Sequence, residues 1–416
     1  MQRAFDRARQ LVEETRGDKR TRKDQGFPST ERTLPALGSP SSIPFTQNIS
    51  SYLGKNNPFA GPVDPKTESV WLFDNTAYRP IHPYPHSPQP WQASFSAAFF
   101  KTETGRDVSK VVADIADKIG LKETGTEEDR ERGEQTIAKR LQPFVDVIAP
   151  AKWVEVKLPN GKVQRLGPGG RSATSQQTIT FATDYSNAQT IETDAMDADL
   201  TPIGPMSTTF AEPEGWLVIS DIDDTVKVTL TPSPVGILRT TFLSDPEVIA
   251  SMPALYNHIQ SLLNPTWFYL SASPYNLYPF LRSFLHANYP KGTILLRDAS
   301  WMDLSGFLLS LTMGTEAYKT GEMDKVHGWL PKRKVLCVGD STQSDPEAYG
   351  NIYRRYNGWV KKIFIRKVAE VAEMNKEEKN SPERFEKAFK DVPKDVWQVF
   401  EDPNELYAAV DALKAT

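Results

Sequence analysis

The sequence predicts an α/β fold for its C-terminal half: a parallel sheet with helices on both faces, preceded by a mostly β region of sandwich or barrel-like type. Three observations carry this. The runs Trp216-Leu-Val-Ile219, Trp267-Phe-Tyr-Leu270 and Val335-Leu-Cys-Val338 are continuously apolar, as expected of strands buried on both faces. Helical patterns separate these runs, the rhythm of right-handed strand–helix–strand crossovers. Upstream, between 67 and 212, apolar residues instead alternate with polar ones, the mark of half-buried strands.

The chain has 416 residues, 39% apolar and 25% charged, which fits one to three globular domains. Its net charge of −4 gives no basic field to draw nucleic acid. The single cysteine, Cys337, excludes an intramolecular disulfide and a Cys-based zinc site; its apolar run assigns it to the core, and a cytoplasmic setting fits. No apolar run reaches the ~18 residues of a membrane span. The N-terminus, with Arg3, Asp6, Arg7 and Arg9, lacks a secretory core, so any membrane contact is expected to be peripheral.

Three parts are expected: a flexible Pro-, Ser- and base-rich region (1–66), the mostly β domain with a helical insertion (67–212), and the α/β domain with C-terminal helices (213–416). Residues 1–16 suit a short charged helix, whereas 17–66 lack a core of their own. Lys19, Arg20, Arg22 and Lys23 form a basic patch, read as a solvated tail or as a contact for anionic lipid. In the second part, Val70–Tyr78 reads as a strand entering a turn. Pro80–Trp91 reads as extended polyproline, either an SH3-type ligand or a rigid loop. His82 and His86 lack the neighbours of a metal site. Strands follow at 92–102, 178–181 and 189–192, helices at 106–120 and 134–143, and a hairpin at 152–166 turning on Asn160-Gly161.

In the third part, helices are expected at 246–263, 276–288, 320–330, 346–356 and 403–414, with a charged helical region at 367–388. Further strands fall at 293–296 and 360–365, with an apolar segment at 396–400. Thr229–Phe242, with Pro232, Pro234, Ile237, Leu238 and Phe242, is read either as a small flap whose apolar residues approach a membrane or as core.

Chemistry gathers at three strand ends. The first strand delivers Asp221, Asp223 and Thr225, the second Ser271 and Ser273, the third Asp340 with Asp345 five residues on; Lys319 lies between the last two. Alone, Asp221-Ile-Asp-Asp-Thr225 reads equally well as an acidic turn. Together, on the ligand-binding edge of a parallel sheet, the residues match phosphoryl transfer through an enzyme carboxylate. Asp221 suits a nucleophile and Asp223 an acid/base. Thr225, Ser271 and Lys319 suit the phosphoryl oxygens. The clustered acids call for a hard divalent ion, Mg²⁺, with Asp340 and Asp345 among its partners. Asp224 reads as a spacer facing away.

These four motifs, Leu217–Thr225, Phe268–Ser271, Lys319 and Val335–Asp345, resemble those of the haloacid dehalogenase-like phosphatases, hhhhDxDxT, hhhh(S/T), Lys and hhhhGDxxxxD. The resemblance implies a metal set of Asp221, Asp223 (through its backbone carbonyl), Asp340 and Asp345. Whether Ser271 or Ser273 is the second-motif hydroxyl stays open, Ser271 being preferred because it directly follows the apolar run. A narrower resemblance, over roughly 214–368, is to the fungal actin-patch phosphatidate phosphatases. It rests on Ser271-Ala-Ser-Pro274, Leu295-Leu-Arg297, Tyr318-Lys319, His327-Gly-Trp329 and Gly339–Tyr349, with Trp71–Asn75 upstream. It implies a Mg²⁺-dependent enzyme that converts phosphatidic acid in membranes to diacylglycerol, peripheral at membranes and cortical actin patches and linked to endocytosis. Gaps of about 45 residues between motifs leave little room for a large cap, which suits a lipid headgroup or a phosphoprotein. The alternatives are the same chemistry on a phosphoprotein or soluble ester, or a cortical adaptor with SH3-type or actin-patch partners on its Pro-rich segments.

Overall fold

The structure is a computed structural model describing residues 2–34, 60–81, 89–102, 108–121, 126–170, 172–297 and 304–415. Pro35, Pro40, Pro44 and the stretch with His82 and His86 lie outside the described residues.

The chain begins with α1 (Gln2–Asp24) and α2 (Phe27–Glu31). Residues 17–24, expected to lack a core of their own, continue the first helix. Three side chains dock it. Glu14 accepts from the Glu316 backbone N–H at 2.8 Å, Asp18 accepts from that of Gly314 at 2.8 Å, and Arg22 donates to the Leu308 carbonyl at 3.2 Å. Arg22 is buried and stacks over Phe27, so it takes no part in a lipid-facing patch; Lys19, Arg20 and Lys23 stay exposed.

Ten strands then build the β region: β1 (Gly61–Pro62), β2 (Glu68–Leu72), β3 (Asn75–Tyr78), β4 (Gln92–Lys101), β5 (Val147–Ile148), β6 (Lys152–Lys157), β7 (Val163–Leu166), β8 (Thr174–Thr180), β9 (Thr190–Ala195) and β10 (Met206–Ala211). They form one connected, curled sheet in the order β1-β6-β9-β10-β3-β4-β2, with β5 and β8 on β4 and β7 on β6. β6 and β7 make the expected hairpin, Val154 opposite Leu166, with Gly161 at φ +81° in its turn.

Between β4 and β5 lie α3 (Ser109–Lys118) and α4 (Glu127–Val145). The second is longer than expected because Thr126 and Asp129 cap it reciprocally. Both pack away from the β region: Val111, Ile115, Ile137, Leu141 and Phe144 share a core with residues of the second sheet.

That second sheet comprises β11 (Trp216–Asp221), β12 (Thr266–Pro274), β13 (Thr293–Arg297), β14 (Lys334–Asp340), β15 (Val360–Arg366) and β16 (Trp397–Phe400). The apolar segment at 396–400 is therefore its last strand. The order is β13-β12-β11-β14-β15-β16 and every pairing is parallel. The strand order reverses at β11, the topological switch where such sheets bind ligands. The crossovers carry α5 (Pro234–Phe242), α6 (Met252–Leu263), α7 (Tyr278–Asn288), α8 (Leu304–Thr312), α9 (Thr315–Trp329) and α10 (Asp345–Arg355), followed by α11 (Lys376–Lys379), α12 (Pro382–Ala388) and α13 (Tyr407–Ala412). Val218 of β11 packs with α6 and α7, while Leu217 and Ile219 pack with α9 and α10, so helices cover both faces.

One alternative is decided and one reading needs correction. Ile237, Leu238 and Phe242 of α5 are fully buried, so these apolar residues are core and not a membrane-facing flap; Phe242, Phe144 and Phe307 contact edge to face at 5.4–5.8 Å. The helix expected from 246 begins at Met252, because 247–249 pair with the backbone of 226–228 instead.

The two sheets are stapled at Asp74. This buried carboxylate accepts from Arg282 at 2.8 and 3.0 Å and from the Ser207 N–H at 2.7 Å, with His286 at 3.2 Å. Burial opposes its charge, but the hydrogen bonds from His286 and Arg282 outweigh that and hold its pKa below the usual value.

Candidate active site

Strand register brings the site together. Asp221 lies beside Leu270, so Ser271 follows at the same level, and Ser220 lies beside Val338, which puts Gly339 and Asp340 next to Asp221. Lys319 enters from the first turns of α9, and Asp345 opens α10. Gly339 permits the close approach of Asp345: a Cβ there would sit 2.6 Å from that of Asp345.

All the sequence-predicted residues converge and all are buried. Lys319 Nζ donates to Asp221 Oδ1 at 2.7 Å and also bonds Asp345. Asp345 Oδ2 accepts the backbone N–H of Asp340 at 3.1 Å. The Thr225 hydroxyl lies 3.0 Å from Asp221 Oδ2 and 3.2 Å from Asp340 Oδ2, bridging the two acids. Ser271 donates to Asp223 Oδ2 at 2.5 Å, while Ser273 Oγ is 3.4 Å from the same oxygen. Ser271 is thus the closer hydroxyl.

Asp221, Asp340 and Asp345 bring carboxylate oxygens within 4.8 Å of one another. Lys319 pairs with Asp221 and Asp345, and among the described residues no other ion pair reaches the three carboxylates. Burial pushes the Asp221 pKa well above its usual value; Lys319 opposes that, while Asp345, Asp340 and Asp223 add repulsion. Asp340 is raised to about 6 for the same leading reason, burial, with Asp345 next. Such a trio of hard oxygen donors with surplus negative charge fits a divalent cation.

Several residues here escaped the sequence reading. Thr342 donates its backbone N–H to Asp340 Oδ1 at 2.6 Å, and its hydroxyl bonds the same oxygen. Asp224 is more than a spacer. At φ +59° it turns its carboxylate away from the other acids, where it accepts the N–H groups of Thr229, Leu230 and Thr231 at 2.7–2.9 Å and the Thr231 hydroxyl at 2.6 Å. It thereby latches the loop after the motif. The left-handed conformation that Asp tolerates was the one available signal. A cleft of roughly 640 Å³ runs beside the site, between α1, α10 and α12, and reaches Thr231, Thr342, Gln343 and Ser344.

Residues 216–367 match the family model described as phosphatidate phosphatase APP1, catalytic domain. This segment resembles that catalytic domain, as its motifs implied. The Saccharomyces cerevisiae protein named phosphatidate phosphatase APP1 is 31% identical over 169 residues, 39% of this chain and 28% of that protein. An uncharacterized Schizosaccharomyces pombe protein is 30% identical over 159 residues, 37% of this chain and 25% of its own length. The chain thus spans about a quarter of the length of these curated relatives. No helix among the described residues is long and apolar enough to cross a membrane.

Proposed function

We propose that this protein is a Mg²⁺-dependent phosphatidate phosphatase of haloacid dehalogenase-like type that hydrolyses phosphatidic acid to diacylglycerol and phosphate. The observation that carries the reading is the convergence of Asp221, Asp223, Ser271, Lys319, Asp340 and Asp345 at three adjacent parallel strand ends. Asp221, Asp340 and Asp345, with the Asp223 backbone carbonyl, would hold the ion. When bound, Mg²⁺ offsets the meeting of an anionic nucleophile with an anionic phosphate.

The chain's own groups do the rest. A carboxylate oxygen of Asp221 forms a bond to phosphorus as the bond to the substrate's ester oxygen breaks. Asp223 gives its proton to that departing oxygen. In the second half, Asp223 takes a proton from water as the water oxygen attacks phosphorus, releasing phosphate and restoring the Asp221 carboxylate. Lys319 orients Asp221 and neutralises phosphoryl charge, with Thr225 and Ser271 assisting. The Pro-rich segments are proposed to meet SH3-type or actin-patch partners, and the protein to work peripherally at membranes and cortical actin patches. Residues 67–212 and 213–416 are proposed as its two folded domains.

The test is phosphate release by purified protein from phosphatidic acid in mixed micelles, with and without Mg²⁺. Mg²⁺-dependent release is expected, lost in Asp221→Asn and Asp223→Asn without unfolding. Release from a soluble ester but none from the micelles would sink the lipid assignment.

A further inference from the structure

Asp223 is held from two sides, and one side belongs to no motif. Ser271 binds Oδ2; Oδ1 accepts from the Thr229 hydroxyl at 2.8 Å. Thr229 Oγ1 in turn accepts from Lys227 Nζ at 3.1 Å, and the same ammonium donates to the Val228 carbonyl at 3.0 Å. Lys227 is 1% exposed and Thr229 2%. Among the described residues, no carboxylate lies within ion-pair distance of Lys227; Asp223 and Asp224 favour its charge from further off, Arg140 opposes it, and the Phe280 ring lies 5.6 Å away. A buried ammonium without a direct counter-ion is costly, so its placement calls for an account.

A threonine hydroxyl has one proton to give. With Lys227 donating into its lone pair, that proton points to Asp223 and away from its poorer acceptor, the Lys227 carbonyl at 3.5 Å. The loop that carries both residues is fixed. Thr229 N–H is latched to Asp224 at 2.9 Å. Val228 N–H bonds the Glu247 carbonyl at 2.9 Å and Ile249 N–H that of Val226 at 3.0 Å.

We propose that Thr229, backed by Lys227, is a positioning residue that fixes the plane of the Asp223 carboxyl for proton delivery to the departing oxygen. The proposal rests on the acid/base role given to Asp223 above. A group that serves proton delivery matters more for an alkoxide leaving group, as in phosphatidic acid, than for nitrophenolate, which departs with little help. Loss of mere structure would slow both alike.

The experiment measures kcat and KM with Mg²⁺ on phosphatidic acid micelles and on 4-nitrophenyl phosphate. Because kcat/KM reports only the steps through departure of the leaving group, Thr229→Val should lower kcat/KM on phosphatidic acid about 10–100-fold, within the usual worth of general acid–base help. Its loss of kcat/KM on the nitrophenyl ester should be about threefold or less. Thr229→Ser should restore the rate, and Lys227→Met should shift the two substrates in the same unequal way. Thr229→Ala serves if the valine variant does not fold. An active wild type whose Thr229 variants lose no kcat/KM on phosphatidic acid, or lose kcat/KM equally on both substrates, overturns the inference alone. A wild type inactive on both overturns the phosphatase reading and this inference with it.

Discussion

Replacing Asp74 with alanine should loosen the join between the two sheets. The carboxylate is 4% exposed and its partner Arg282 14%, so the ion pair is largely shielded from water. Deleting one partner strands the other charge, a loss of about 3–5 kcal/mol. Unfolding entropy of roughly 2.1 cal/mol/K per residue over 416 residues is about 0.9 kcal/mol/K. The midpoint should therefore fall by about 3–6 °C. Because the folded pKa of Asp74 lies below its unfolded value, its contribution is complete above the unfolded carboxylate range, near pH ~4. It is lost as pH falls through the folded value. Thermal unfolding of wild type and variant between pH 7 and pH 3 measures both effects. A midpoint difference under about 1 °C at pH 7, or one that persists undiminished at the acid end, would refute the reasoning.

Mg²⁺ should stabilise the folded protein by about 2.7 kcal/mol at a concentration 100 times its dissociation constant, read as a higher unfolding midpoint. Asp340→Asn should abolish that gain; an equal gain in the variant would remove Asp340 from the metal set. Gly339→Ala should cut turnover by roughly 10–100-fold, because the new methyl displaces Asp345; near-normal kcat would show that Asp345 tolerates the shift. Phe144→Ala should cost about 3–5 kcal/mol, read as a lower urea midpoint, since Phe144 packs against Phe242 and Phe307.

The acids at the strand ends were legible because each follows a continuous apolar run, and parallel register then puts Asp221, Ser271 and Asp340 at one level. The switch in period near 213 likewise marked where the parallel sheet begins. What stayed hidden was long-range. Val111, Ile115 and Leu141 show helical spacing, but spacing does not say which sheet a helix covers, and these turned to the second. Val248 and Ile249 fit a helical face, yet backbone pairing with 226–228 claimed that segment. Thr229 sits six residues beyond Asp223 in a stretch with no periodic signal, and the latch at Asp224 together with the pairing to 247–249 folds it back.

The helices α3 and α4 branch from the β region but bury their apolar faces in the same core as α5, α8 and the parallel sheet. Chemistry and cooperativity therefore have different boundaries in this chain. Residues 216–367 contain every proposed catalytic group, yet a fragment cut near residue 213 would bare the surface that Val111, Ile115, Leu141 and Phe144 now cover. The smallest unit able to melt as one is larger than the smallest unit holding the reaction, and calorimetry on the intact chain should find α3 and α4 melting with the parallel sheet.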